Sequence, residues 1–118
     1  MIPRSRAYHR IKQHFRIIGL TAAQVRRFKQ NVLSVQKYKL GNYHENSALF
    51  VMTFKIKKSE SYNDLCGFLK TARLPDTSYG LWISILTTRM SGGVRVPDHI
   101  VRLYKRTGGL IDFNFDSR

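Results

Sequence analysis

One cysteine, Cys66, stands among 118 residues. That excludes an internal disulfide and any zinc site built from several cysteines, and it leads us to expect a reducing, cytoplasmic location. Long apolar runs are also missing. None approaches the roughly 20 residues needed to cross a bilayer. After the basic start, Ile17, Ile18, Gly19 and Leu20 are too short a run for a signal-peptide core. No membrane partner is expected. The most informative absence is negative charge. From Met1 to His44 there is no Asp or Glu against ten Lys or Arg, so this stretch supplies +10 of the formal +14. Self-repulsion on that scale destabilises a small fold, and an acidic or phosphate-bearing partner would relieve it.

What is present suffices for one core. With 42% hydrophobic and 12% aromatic residues, residues 1–118 are expected to fold as a single domain, with 1–7 as a flexible basic arm. From Tyr8 to Ile18 apolar and polar residues alternate, the period of a strand buried on one face, and Gly19 is expected to end it. Thr21 is placed to cap a helix with Ala22, Val25, Phe28, Val32 and Leu33 on one side. Val35 to Leu40 and Leu49 to Ile56 read as two strands joined by a turn, with Phe50, Met52, Phe54 and Ile56 inward. Ser59 or Ser61 can cap a second helix carrying Tyr62, Leu65, Phe68, Leu69 and Ala72. Leu81 to Thr88 reads as a strand with Leu81, Ile83 and Ile85 in the core and Trp82 opposite. After a Ser91-Gly92-Gly93 loop, Pro97 suits the first turn of a helix with Ile100, Val101, Leu103 and Tyr104 on its apolar side. Gly108 and Gly109 end it before a last strand with Ile111, Phe113 and Phe115 inward.

This order, β-α-β-β-α-β-α-β, predicts an α+β fold. Its first six elements match a ferredoxin-like β-α-β-β-α-β unit, with an additional C-terminal helix and strand and with helices on one face of an antiparallel sheet. Parity then gives the charge a direction. If Ile11, Phe15 and Ile17 pack on the helices, Arg10, Lys12, His14 and Arg16 leave the first strand on the open face. The same rule adds Lys55 and Lys57 from the third strand and groups Lys37 with Lys39 on the second. These eight residues are the candidate partner-binding set, and Arg4 and Arg6 could extend it.

Catalytic chemistry finds no support in these residue patterns. His9 and His14, five apart on a strand, face opposite ways and cannot hold one ion together. Cys66 lies beside apolar helix residues and reads as a small buried side chain. Asp112 and Asp116 alternate with aromatics as solvated strand positions do. The Ser91-Gly92-Gly93 loop lacks the lysine and serine or threonine of a P-loop. No enzyme activity, metal or cofactor is expected.

The runs Tyr79-Gly80-Leu81-Trp82-Ile83-Ser84-Ile85, Ser91-Gly92-Gly93-Val94-Arg95-Val96-Pro97, Val101-Arg102-Leu103-Tyr104 and Gly108-Gly109-Leu110-Ile111-Asp112-Phe113-Asn114-Phe115 share a pattern of strand, loop, helix and aspartate-alternating strand. In this C-terminal third the chain resembles a bacterial family of small uncharacterised domains, some regarded as toxin-immunity proteins. The resemblance implies neutralisation of a toxin by stoichiometric binding, and a basic inhibitor then implies an acidic toxin surface. The alternative is a nucleic-acid-binding domain that meets RNA or DNA phosphates on a basic sheet face. Parity weighs against stacking of bases, because Phe50 and Phe54 fall on the core side.

Overall fold

The structure is a computed structural model that describes the backbone of residues 9–87 and 96–117 and the side chains of 11–85 and 96–114. The basic arm, the Ser91-Gly92-Gly93 loop and the side chains of His9, Arg10 and Phe115 lie outside the described residues. The elements are β1 (His9–Leu20), α1 (Ala22–Asn31), β2 (Lys39–Tyr43), β3 (Asn46–Lys55), α2 (Asn63–Thr71), β4 (Tyr79–Thr87), α3 (Asp98–Thr107) and β5 (Leu110–Ser117). Together they form an α+β fold with three helices and one five-stranded sheet, ordered β2-β3-β1-β4-β5.

Strand β1 occupies the centre because its sequence can serve two environments at once. Phe15 and Ile17 are fully buried, and Ile11 packs on the same core. The strand does not stop at Gly19. That residue takes a positive φ of 84° at a register irregularity between Ile18 and Leu20, where a residue with a Cβ would be strained. The extra residue reverses the parity, so Leu20 returns to the core and is fully buried. Thr21 then caps α1 as expected, in a reciprocal box: its hydroxyl accepts from the Gln24 N–H at 3.1 Å and its own N–H donates to Gln24 Oε1 at 2.9 Å.

The other strands contribute Met52, Phe54, Leu81, Ile83 and Ile85, and the helices Val25, Phe28, Leu65, Phe68, Leu69, Ile100 and Leu103, to one buried cluster. Phe15, Phe28, Phe54 and Phe68 meet there through ring contacts of 5.2–6.1 Å.

Several expectations need correction. The sheet is mixed rather than antiparallel: β1–β3, β1–β4 and β2–β3 are antiparallel, but β5 runs parallel to β4. Helix α3 is the cause, since it carries the chain back along the sheet before β5 begins. Leu33 is 69% exposed, because α1 ends at Asn31 and the chain turns outward after Val32. Neither Ser59 nor Ser61 caps α2. The N-cap is Tyr62, in the left-handed region at φ 58°, without a side-chain cap bond. Burial of the Tyr62 ring decides this geometry, and its hydroxyl accepts from the Lys57 N–H at 2.7 Å. Val101 is exposed rather than packed, and Cys66 is only half-buried. In β5, Ile111 and Phe113 align with Leu81 and Ile83, yet they stay exposed because the core ends at β4.

Asp64 fixes the connection between α1 and β2 to the first turn of α2. Its carboxylate accepts from the Ser34 N–H at 2.9 Å, from the Ser34 hydroxyl, and from the Leu65 N–H at 2.8 Å. Burial alone would raise the Asp64 carboxyl, but the bonds from Ser34 and Leu65 outweigh it and hold the group below its ordinary 3.8. A carboxyl lowered in the folded state stabilises above its unfolded value and loses that contribution as pH falls through the folded value. Asp64→Asn should therefore lower stability by about 1–3 kcal/mol at neutral pH in urea unfolding. The gap to the native protein should close as the buffer is taken well below pH 3.8.

Candidate partner-binding face

Antiparallel register converts the parity of β1 into rows of side chains across the uncovered side of the sheet. One row runs Lys55, His14, Trp82, Asp112 and the next Lys39, Thr53, Arg16, Gly80, Leu110. A third places Lys12 beside Ser84 and Asn114. Positive charge therefore gathers on β1, β2 and β3, while β5 brings Asp112 to the far end.

The basic part is concave. A groove of about 570 Å³ is lined by Lys12, His14, Lys37, Lys39, Lys55 and Trp82, with Tyr38 and Thr53 among its other walls. Lys37 joins it from the segment before β2, which starts at Lys39, four residues later than the Val35 start expected from sequence. Of the eight candidate residues, the structure brings five into this groove. Arg16 and Lys57 have other places, and Arg10 is described only by its backbone, aligned with Leu86.

Arg16 remains on the open face, but it turns onto Trp82: its guanidinium carbon sits 4.5 Å from the ring centroid. Gly80, opposite Arg16 in register, adds no side chain to obstruct that path. The Arg16 Nε is buried and has no acceptor among the described residues, so the stack is the contact that holds the guanidinium. Lys57 is corrected more strongly. β3 ends at Lys55, and Lys57 lines a separate cleft with Lys58, Tyr62, His99 and Arg102. Extending the strand alternation two residues past its end misplaced it. Sequence reasoning also missed that Trp82 and Tyr38 line the basic groove, although the parity of Trp82 already pointed to that side.

His14 reports the field inside the groove. Burial, then the charges of Lys55, Lys12 and Lys39 in that order, hold its imidazole below the ordinary 6.5 and favour its neutral form. A neutral ring among four lysines can accept a hydrogen bond, and it gains a proton if an anion enters. No group of three or more His, Cys, Asp or Glu side chains capable of holding a metal occurs among the described residues. Likewise, no helix there is long and apolar enough to cross a membrane.

The lysine field is directly testable. Lys55→Ala should raise the His14 midpoint in an NMR titration of the imidazole resonances, and an added polyanion should raise it in the native protein. A midpoint indifferent to both would remove the lysines as its cause.

No family model matches the chain, and neither a curated protein nor a solved structure matches it. The functional reading therefore rests on the geometry and charge of this face.

Proposed function

We propose that the chain is a non-enzymatic, cytoplasmic binding protein whose open sheet face docks an acidic protein. From the C-terminal resemblance we read it as an immunity-type protein that neutralises a cognate toxin by stoichiometric binding. In the same reading, β1 to β4 with α1 and α2 are the ferredoxin-like unit, and α3 and β5 are appended to it.

The observation that carries the proposal is the gathering of Lys12, Lys37, Lys39 and Lys55 around one groove. Like charges held this close oppose folding, so their retention on one face is explained best by a partner that neutralises them. An acidic protein surface fits a concave basic groove in shape and potential, and complementary charge would speed its association. Trp82 gives that interface a large amphipathic anchor with its ring already braced by Arg16.

A second reading, nucleic-acid binding, is favoured by one observation: Trp82 and Tyr38 stand among the lysines, as stacking residues do among phosphate contacts. The Arg16 guanidinium weighs against it, because it occupies a ring face that a base would need.

Affinity purification with the native chain and with a Lys12→Glu, Lys39→Glu, Lys55→Glu variant separates these readings. The native chain should retain one protein in stoichiometric amount, and the variant should lose affinity for it by on the order of 100-fold. The melting temperature of the variant should be unchanged or higher, since the substitutions remove self-repulsion. Equal retention by a folded variant contradicts the proposed face. Micromolar or tighter binding of single-stranded RNA at physiological salt, with no protein retained, transfers the face to the second reading.

A further inference from the structure

The two edges of the sheet are built differently. At one edge, β2 has five residues, carries Lys39, includes Gly41 and loses register with β3 between Asn42 and Tyr43. Short length, lysine and an irregularity are the devices by which sheets prevent their edges from pairing. At the other edge, β5 has eight residues, Leu110–Ser117, with no Lys, Arg or Pro. Its register with β4 runs without a break from Gly80↔Leu110 to Thr87↔Ser117. Among the described residues no strand lies beyond it. A Cβ at Gly80 would collide with the Leu110 backbone, so β5 is held against β4 by a close approach that only glycine permits.

The same edge exposes apolar surface. Leu110, Ile111 and Phe113 are 47%, 38% and 50% exposed, and Val101 on α3 is 39% exposed. Within β5 the only charges are Asp112 and Asp116, so the strand itself adds no positive charge to oppose self-association.

We propose that two copies of this chain pair antiparallel through β5 into one continuous ten-stranded sheet. Charge placement selects this partner. Joined at β5, the two β1 strands are five strand spacings apart, about 24 Å. That is roughly three Debye lengths at physiological salt, so the basic grooves do not repel appreciably. Joined at β2, the β1 strands would be equally far apart, but the two Lys39-bearing strands would be adjacent and the two Lys55-bearing strands only three spacings apart, so the basic grooves would crowd each other.

Among the axes at the three central residues Asp112, Phe113 and Asn114, charge favours one register. A two-fold axis at Phe113 pairs Asp112 with Asn114 and Ile111 with Phe115. An axis at Asn114 sets Asp112 against Asp116, and one at Asp112 sets that residue against itself, both of which oppose carboxylates. With the axis perpendicular to the sheet, both basic grooves face the same side. The assembled face is bivalent, with two positive wings and an acidic seam.

Light scattering of the full chain at physiological salt, over a concentration series reaching 200 µM, tests the pairing. The native chain should approach twice its 13.8 kDa mass. Phe113→Lys should weaken association at least tenfold with an unchanged circular dichroism spectrum, and Leu40→Lys on the opposite edge should leave it intact. A native chain that stays monomeric throughout, or a dimer that ignores Phe113→Lys, overturns the proposal. In a Cys66→Ser background, Phe113→Cys should form an oxidised covalent dimer and Asn114→Cys should not. That readout decides the matter even if Phe113→Lys fails to fold, and equal cross-linking of both variants contradicts the register.

Discussion

Strand β1 must bury Phe15 and Ile17 at the centre of the sheet, and the rest of the molecule follows from that constraint. Side chains of a strand alternate, so sealing these two against the helices sends Lys12, His14 and Arg16 to the other face. A slip of one residue would put the cations into the core, at a cost no small domain could absorb. The register is therefore fixed by the hydrophobic row. The basic face is its obligatory complement. Neighbouring strands then complete the face: β3 sets Lys55 opposite His14, and β4 sets Trp82 on the other side.

The charge so gathered is only partly relieved from within. Arg16 spreads its charge over the Trp82 ring, and Asp112 closes the row at β5, beyond Trp82. The four groove lysines have no such contact among the described residues, and burial together with the charges of Lys55, Lys12 and Lys39 favours the neutral form of His14. On the proposed reading, such a face favours an anionic partner. Each neutralised lysine removes repulsion that the free protein carries, so association and relief of self-repulsion are one event. The same argument explains the contrast between the edges. The lysine-bearing edge is short and irregular, whereas the edge free of basic residues is long and regular.

Much of this was legible in the chain itself because local rules governed it. The alternation around Phe15, the Thr21 cap with Gln24 three residues on, the stop at Gly108 and the outward placement of Trp82 each depend on a few adjacent residues. What was hidden depends on residues far apart. Lys57 continues the alternation of β3, but the strand ends at Lys55 because the following loop must bury Tyr62. Leu33 shares the helical period of α1, yet the helix ends before it. The parallel direction of β5 follows from the crossover through α3, and the exposure of Ile111 and Phe113 from where the helical layer ends. The Arg16–Trp82 stack needs the register of β1 against β4, which alternation within either strand cannot supply.

If the face complementary to the buried row of β1 is where the partner binds, an acidic ligand must perturb that face and not the helical side. Backbone and indole NMR shifts, recorded while a glutamate-rich peptide is added to the full chain, measure this most directly. The shifts should concentrate at Lys12, His14, Lys39, Lys55 and the Trp82 indole, and should fade with added salt. Shifts centred instead on Lys58, His99 and Arg102, in the cleft on the helical side, would contradict it.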